Sequence, residues 1–401
     1  MERQYIRSER AHFMCPNMHF GIKMELSCAL ILQKLRNTVQ KIAEVRPFLR
    51  CVLALEGDMD VLYYKDTGVS LTQVFAFSDE ATLWNDYKKI AETDWDVFSE
   101  GLLKLYVYPR AEGMTLLFIA HHLLTDGRGL LELAQTFAEM YAAEKIPAYA
   151  EERLIRSVRE LPEKSALSGV SRFLVRRANR KWKKENHTVD YGLYRTFAQE
   201  YGKTHPVEYK MYTVECNALE QIVQKCRANG VSVNDYLMAE MYMRTGTGKI
   251  IIVADIRKQL KQYNSGALGN YSTAMGIVCK PKTTDVMETA KQVHALVRKH
   301  MRNNRTLMLV LACYFEMEST LLDAAAISAL GGFESRAAKF VGGGMFGFGQ
   351  PKSYSITNLG RVENEHIRSL QFIPPASPAA KFTLGVVTLN GTMYAVSAEN
   401  T

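Results

Sequence analysis

The sequence predicts an α/β protein in which helices pack on strands in two successive blocks. Segments with helical periodicity alternate with apolar, strand-like segments in both halves of the chain. Two short turn signals each join a pair of strands, Ala111-Glu112-Gly113 in the first half and Asn390-Gly391 near the end. The 401 residues are enough for two domains of about 150 to 200 residues each.

The composition indicates a compact globular protein with a mildly basic surface. Hydrophobic residues make up 47% of the chain and charged residues 23%, which excludes the disordered and fibrous classes. The 50 Lys and Arg residues exceed the 42 Asp and Glu residues, so the net charge of +8 favours anionic partners. Segment 171–184 (SRFLVRRANRKWKK) forms either a solvated face or an anion-binding surface. The sequence has no zinc-finger spacing or RNA-binding signature, so we expect no nucleic-acid partner.

The cysteines and the N-terminus indicate a soluble, cytoplasmic protein. The seven cysteines are scattered and contain no C-x-x-C pair, which is typical of reduced thiols. The N-terminal segment is too polar for a signal peptide. The longest uncharged helical segment, at 306–315, is too short to span a bilayer.

The first block begins with an amphipathic helix predicted from about Cys28 to Val45, which Pro47 ends. A strand from Leu49 to Leu55 follows, and strands at 102–110 and 114–122 form a hairpin. The next helix places one apolar face toward the core, formed by Leu130, Leu133, Ala134, Phe137, Ala138 and Tyr141.

A charged segment from about Ile146 to His205 is predicted to be a helical crossover to the second block. That block contains, in order, a strand at 209–215, a helix ended by Gly230, a helix capped by Ser232, a buried strand at 249–258, a strand at 353–360 and a C-terminal hairpin. The glycine-rich segment 341–350 is expected to be a mobile loop.

Two adjacent histidines end the second strand of the first hairpin, in the segment LLFIAHHLLTDGRG (116–129). Alternation along a strand sends His121 and His122 to opposite faces. Asp126 stands where the chain turns into a helix, and Gly127 permits a positive φ or the close approach of another group. Three interpretations are open: core histidines with Asp126 as a helix cap, a metal site, or one imidazole acting as a general base. The metal site is disfavoured because adjacent strand positions diverge and no second ligand cluster is present.

The segment HHLLTDG (121–127) resembles the HHxxxDG motif of the coenzyme-A-dependent acyltransferase superfamily, which includes chloramphenicol acetyltransferases, peptide-synthetase condensation domains, plant BAHD enzymes and alcohol acyltransferases. Only this motif is specific by itself, and the BAHD motif DFGWG is absent. Other segments resemble family segments in the same order: VRPFLRCVL (45–53), VSVNDYLMAEM (231–241), ADIRKQL (254–260), GALGNYSTAMGI (266–277) and SITNLG (355–360).

The resemblance implies two chloramphenicol-acetyltransferase-like lobes, each a two-layer α/β sandwich, in a pseudo-dimeric arrangement with a tunnel between them. We therefore divide the chain into an N-terminal lobe at 1–165, a crossover linker with the basic helix at 166–205 and a C-terminal lobe at 206–401.

The resemblance also implies roles for the residues around the motif. His122 would be the general base, whereas His121 would be buried scaffolding. Asp126 would form a salt bridge that fixes the loop beside Gly127, with Arg257 as the expected partner; the alternative for Arg257 is a solvated strand end.

Hydroxyl groups near the second-block strand are candidates to stabilise a developing oxyanion. Ser272 and Thr273 are the candidates, because hydroxyls at that strand resemble the position used in chloramphenicol acetyltransferases. Asn270 and Asn358 are equally well explained as turn or ladder residues.

The function implied is acyl transfer from acyl-CoA, or from the phosphopantetheine thioester of an acyl carrier protein, to a hydroxyl or amine acceptor in natural product or lipid biosynthesis. We expect no bound cofactor and no metal, a carrier that docks in trans, and a monomer. One alternative is a stand-alone condensation-like module that forms an amide or binds a carrier without catalysis. Another is a peripheral membrane protein that binds anionic lipid through segment 171–184, with Phe173, Leu174 and Trp182 in contact with lipid.

Overall fold

The structure is a computed structural model and describes residues 2–57, 61–77, 80–92, 95–349 and 353–400. It confirms the α/β fold class. In this part of the chain the strands are β1 (Gln4–Tyr5), β2 (His19–Leu26), β3 (Cys51–Glu56), β4 (Val61–Asp66), β5 (Gln73–Ala76), β6 (Leu103–Pro109), β7 (Met114–His121), β8 (Val207–Val214), β9 (Lys249–Asp255), β10 (Ser272–Val278), β11 (Tyr354–Val362), β12 (Ile367–Ile373), β13 (Phe382–Leu389) and β14 (Thr392–Asn400).

The helices pack against these strands. The α-helices are α1 (Leu32–Val45), α2 (Leu83–Glu92), α3 (Gly127–Ala143), α4 (Gly169–Glu185), α5 (Tyr191–Thr204), α6 (Cys216–Ala228), α7 (Val233–Thr245), α8 (Val286–Met301), α9 (Asn304–Leu307), α10 (Leu309–Glu316), α11 (Ser319–Ala329) and α12 (Arg336–Lys339). Two shorter helical segments are a 3₁₀ helix at Ser8–His12 and a π-helix at Phe340–Phe346.

The strands form three sheets. The order in the five-stranded sheet is β12-β2-β7-β6-β5, and in the six-stranded sheet it is β10-β9-β11-β13-β14-β8. A small sheet has the order β1-β4-β3. The division of the chain at 165 and 205 remains a prediction, and one pairing crosses it: β12, from the 206–401 segment, pairs antiparallel with β2 in the five-stranded sheet.

Both predicted hairpins are confirmed. Strands β6 and β7 pair antiparallel across residues 110–113. Strands β13 and β14 pair across Asn390-Gly391, whose φ angles of 47° and 86° are those of a two-residue hairpin turn.

The first helix begins at Leu32 instead of Cys28. The hydroxyl of Tyr141 donates to Ala29 O at 2.8 Å and accepts from Ile31 N at 2.9 Å, so it holds this backbone outside the helix. The helix face of α3 is buried as its periodicity predicts, and α7 begins with a capping box in which Ser232 and Asp235 bond each other's backbone N–H.

Two expectations for the second block are wrong. The glycine-rich segment is not a mobile loop over its first residues, because they form the π-helix; Gln350 lies outside the described residues. A Cβ on Gly342 would lie 2.0 Å from Ala325 O, so glycine permits this close packing on α11. Strand β9 is buried on one face only, since Val253 is exposed and lines a cavity described below.

The crossover is helical in its second part, α4 and α5, whereas residues 146–168 are irregular apart from a 3₁₀ turn at Val158–Glu160, so the first part of that prediction is wrong. The first helix, α4, uses one face for packing. Trp182 is buried and its indole N–H donates to Thr320 Oγ1 at 2.9 Å. Trp182 therefore does not contact lipid in this structure, which corrects that part of the membrane hypothesis. Phe173 is exposed, and the exposed basic residues of the helix are Arg176, Arg177, Arg180, Lys181, Lys183 and Lys184.

A buried ion pair fixes the N-terminal 3₁₀ helix to the second block. Arg10 donates from Nε to Asp323 Oδ1 at 2.9 Å and from Nη2 to Oδ2 at 2.7 Å. Asp323 belongs to α11, and the two side chains are 0% and 2% exposed. Because both charges are enclosed, each depends on the other for compensation.

We predict that Arg10→Met lowers the free energy of unfolding by about 3 to 5 kcal/mol, because it leaves the Asp323 carboxylate buried and unpaired. The double variant Arg10→Met, Asp323→Leu should lose less than Arg10→Met alone. Urea denaturation measures both, with Arg3→Met as the control, since the Arg3–Glu56 pair is half exposed. Equal effects of Arg10→Met and Arg3→Met would contradict the prediction.

Candidate active site

His121 is the last residue of β7 and packs inside the protein. Its Nδ1 accepts a hydrogen bond from Leu123 N at 3.2 Å, and its ring lies edge-on to Trp95 with centroids 5.8 Å apart. Burial, together with the neighbouring His19, His122 and Lys104, lowers the pKa of His121 to about 3. The ring therefore stays neutral at physiological pH and belongs to the packed interior.

His122 follows the strand end and is held by Asn270. The Asn270 side-chain amide donates from Nδ2 to His122 O at 2.8 Å, and its Oδ1 lies 2.8 Å from His122 Nδ1. A carbonyl oxygen only accepts, so the amide nitrogen must face it and Oδ1 must face the ring. Oδ1 also only accepts, so Nδ1 carries the proton. This contact therefore fixes the tautomer and leaves Nε2 as an unprotonated base.

The neighbours of His122 keep its ring neutral. The ring stacks on His12 with centroids 4.3 Å apart and lies edge-on to Phe20 at 5.0 Å. Burial lowers the pKa of His122. The hydrogen bonds that its ring makes to its own backbone, to Asn270 and to the Thr125 backbone, together with the Asp126 charge, raise the pKa by less, so the net pKa is lowered. A neutral imidazole at pH 7 can accept a proton from a substrate.

Asp126 caps helix α3 and pairs with an arginine of the second block. Its Oδ1 accepts from Gly129 N at 3.0 Å and from Arg257 Nη2 at 2.7 Å, and Oδ2 accepts from Tyr271 N at 2.8 Å. Burial would raise the pKa of Asp126, but Arg257 and the two N–H groups outweigh it and the net pKa is lowered. Both carboxylate oxygens serve these partners, so the geometry is not that of a triad in which the acid touches the base.

Arg257 is buried, which corrects the alternative of a solvated strand end. It follows β9 in a short 3₁₀ segment and also donates to Asp255 Oδ1 at 3.2 Å. Its guanidinium lies 5.5 Å from the ring centre of Tyr263 and 5.3 Å from that of Tyr271. The two aromatic faces and two carboxylates together favour the buried cation.

Gly127 is needed for close packing and does not have a positive φ. A Cβ there would lie 3.0 Å from Phe372 Cζ and 3.1 Å from Leu359 Cδ2. Of the two expectations for this glycine, the close approach is the one that the structure supports.

The two hydroxyl residues of β10 differ in their surroundings. Thr273 is buried and donates from Oγ1 to Leu307 O at 3.1 Å, so its hydroxyl hydrogen is engaged. Ser272 is half-buried, and within the described ranges its hydroxyl has no hydrogen-bond partner. Asn358 is exposed at a β-bulge, where its Oδ1 accepts from Gly360 N, and it does not line the cavity around His122.

A cavity of about 310 Å³ brings these residues together. His122, Asp126 and Gly127 line it from the first block, whereas Asn270 and Ser272 line it from the second. Much of the remaining lining is apolar and includes Ile251, Val310, Leu311, Met345, Phe346 and Phe348. A cavity lined by both blocks is present, while a continuous tunnel remains a prediction.

The N-terminal 3₁₀ helix contributes Ser8, Glu9 and His12 to the same cavity. Sequence reasoning missed all three, because a single histidine in a polar N-terminal segment carries no motif and no periodic signal.

Neither a metal site nor a membrane-spanning helix is found among the described residues. They contain no group of three or more His, Cys, Asp or Glu side chains arranged to hold a metal ion. No helix within them is both long enough and apolar enough to cross a membrane.

Solved structures with similar folds are numerous, although no protein-family model and no curated protein matches the sequence. TRI3 trichothecene 15-O-acetyltransferase from Fusarium sporotrichioides has a TM-score of 0.65 at 12% identity, over 99% of this chain and 91% of that one. The condensation domain of the Monacolin K polyketide synthase MokA has a TM-score of 0.60 at 12% identity, over 100% of this chain and 92% of that one. The protein has the condensation-domain and acetyltransferase fold.

Polyketide synthase associated protein 5 from Mycobacterium tuberculosis has the same condensation-type fold, with a TM-score of 0.58 at 14% identity over 100% of this chain and 94% of that one. In each comparison nearly the whole chain is covered, so both blocks and the crossover belong to this fold.

We predict that Asp126→Asn and Arg257→Gln each lower the free energy of unfolding by about 3 to 5 kcal/mol, because each leaves a buried partner uncompensated. The double variant should lose less than the sum, with a coupling of about 0.5 to 3 kcal/mol. Urea denaturation of the four proteins measures the coupling. The control is Lys145→Gln, which removes an exposed ion pair with Glu139. Strict additivity of the two single effects would contradict this assignment.

Proposed function

We propose that the protein transfers an acyl group from a thioester to a hydroxyl or amine acceptor bound in the cavity, with His122 as the general base. The observation that carries the proposal is the contact between His122 and Asn270, which leaves an unprotonated Nε2 on a neutral, cavity-lining imidazole. A histidine that acts as a general base must have an unprotonated nitrogen within reach of the acceptor's proton. The Asn270 contact supports the first requirement, and the position of His122 in the cavity lining is consistent with the second.

The proposed reaction has an addition step and a collapse step. The acceptor hydroxyl or amine gives its proton to His122 Nε2 as its oxygen or nitrogen attacks the thioester carbonyl carbon. The carbonyl electron pair moves to oxygen and forms a tetrahedral oxyanion. On collapse the C=O bond forms again, the C–S bond breaks, and the thiolate takes the proton back from His122. His122 is therefore neutral at the start and at the end.

Ser272 is our proposed hydroxyl donor to the oxyanion. It lines the cavity with an unengaged hydroxyl, whereas Thr273 donates to a backbone carbonyl. Asp126 and Arg257 are positioning residues that do not contact the reacting atoms. Their ion pair fixes the loop that carries His122. These roles agree with an electrostatic contribution from preorganised donors.

The cavity supports a small or medium-sized apolar acyl group or acceptor. Its volume of about 310 Å³ lies near the lower end of the range of roughly 300 to 1,000 Å³ found for ligand pockets. Lys249 is exposed and also lines the cavity, so it offers a cation to the phosphate that acyl-CoA and a carrier-bound phosphopantetheine share. The exposed basic face of α4 is our proposed contact for an acidic carrier protein.

The test is a thiol-release assay across acyl-CoA chain lengths and acyl carrier proteins, with pooled hydroxyl and amine acceptors. We predict that His122→Ala lowers kcat by about 10² to 10⁴ with little change in melting temperature, because it removes the general base. The control, His187→Gln, changes an exposed histidine on the loop after α4 and should leave kcat unchanged. Near-normal turnover by His122→Ala would refute the mechanism.

Binding of a carrier or thioester without any thiol release from the wild-type protein would favour the non-catalytic condensation-like module. This outcome would reject catalysis while leaving the docking surface in place.

Asn270→Asp tests whether Asn270 positions and tunes the base. The new carboxylate would face Nδ1–H of His122. Two other titratable groups already act on this ring: His12 stacks on it, and the Asp126 charge raises its pKa. A negative charge there stabilises the imidazolium, so the pKa of His122 should rise. The acid limb of kcat/KM, measured against pH, should therefore move to higher pH. An unchanged limb would show that Asn270 does not control the protonation of the base.

A further inference from the structure

A second imidazole lies directly on the proposed general base. The rings of His12 and His122 are stacked, with an interplanar angle of 14° and centroids 4.3 Å apart. Both residues line the same cavity. A substrate atom that contacts His122 Nε2 therefore lies next to the His12 ring.

The position of His12 is fixed by contacts on both sides of it in the sequence. Arg10, two residues before it, makes the buried bidentate contact with Asp323. Phe13, the next residue, is buried and stacks on Tyr191 with centroids 5.2 Å apart. The short helix is therefore anchored to α11 and to α5, and the ring is held in place before any substrate binds.

The ring edge of His12 is open to the cavity. Within the described part of the chain neither ring nitrogen has a hydrogen-bond partner, and neither is among the fully buried polar atoms. Burial and the nearby His122 and His121 hold the pKa of His12 well below its usual range. The ring is therefore neutral at pH 7, and a neutral imidazole carries one N–H donor and one acceptor nitrogen.

Nearby groups that could serve the oxyanion are partly engaged elsewhere. Asn270 uses both ends of its amide on His122, and Thr273 donates to Leu307 O. Ser272 and His12 are the two residues of this group whose polar hydrogens remain available, and they come from opposite halves of the chain.

We propose that His12 donates an N–H hydrogen bond to the oxyanion of the tetrahedral intermediate and is thus a second catalytic histidine. This inference rests on the proposed acyl transfer. When the acceptor attacks, the carbonyl electron pair moves to oxygen, and the His12 N–H bonds that oxygen without giving up its proton. The bond weakens as the C=O double bond forms again and the thiolate leaves with the proton held by His122. A neutral donor next to the base avoids two adjacent imidazolium charges.

Two substitutions separate donation from packing. His12→Phe keeps an aromatic ring for stacking but removes the N–H, whereas His12→Gln restores an N–H donor without the ring. We expect His12→Phe to lower kcat by about 10² to 10³ with little change in KM for donor or acceptor. His12→Gln should recover at least about tenfold of that loss. Melting temperatures and steady-state kinetics of both variants are compared with those of His187→Phe, an exposed control.

Four results would overturn the inference in distinguishable ways. A kcat for His12→Phe within about twofold of wild type shows that no donor is lost. A raised KM for the acceptor with unchanged kcat shows that His12 binds the ground state. A loss in His12→Gln equal to that in His12→Phe shows a packing role. Absence of thiol release from the wild-type protein overturns the proposed function itself, and this inference with it.

If His12→Phe does not fold, His12→Ala takes its place, and added imidazole is the probe. We expect imidazole to fill the space over His122 and to raise kcat of the variant, while leaving wild type unchanged. If added imidazole leaves kcat of His12→Ala unchanged over the whole concentration series, the donor role is overturned.

Discussion

The ion pair between Asp126 and Arg257 is the interaction on which the candidate site depends, because it joins the two blocks next to the loop that carries His122. Asp126 caps α3 and also accepts from Tyr271 N, while the neighbouring residue Asn270 bonds His122. The loop after β7 and the segment before β10 are therefore joined at two adjacent points. A buried carboxylate and a guanidinium are strongly destabilised apart, so this geometry has little freedom to relax.

As a consequence, the groups in direct contact with the His122 ring are neutral: Asn270, His12 and Phe20. The carboxylate serves Arg257 and backbone N–H groups, and an amide, Asn270, faces the ring. An amide fixes the tautomer without adding a charge that would raise the pKa of His122. Burial then keeps the ring neutral. The arrangement differs from a Ser-His-Asp triad, in which the carboxylate stabilises the imidazolium directly.

The cavity is made by segments far apart in the chain. The N-terminal 3₁₀ helix is held by Asp323 of α11, and it covers His122 with His12. Strand β12 returns from the second half to pair with β2, and Phe372 from β12 packs against Gly127. Each block therefore packs one of its elements on the other block, and the candidate site lies where the N-terminal 3₁₀ helix and β12 approach His122 and Gly127.

The sequence by itself determined the α/β class, both hairpins, the apolar face of α3, the cap at Ser232, and the loop that carries His121, His122, Asp126 and Gly127. These features follow from periodicity and turn chemistry that act within a few residues, whereas the pairing of Asp126 with Arg257 was expected only from the resemblance of HHLLTDG to an acyltransferase motif. Only the tertiary structure decided that Asn270 holds His122, that the Thr273 hydroxyl donates to a backbone carbonyl, that Trp182 is buried and that His12 stacks on His122. The physical reason is that each of these facts depends on which distant side chain fills a given space, and no local pattern in the chain records that contact.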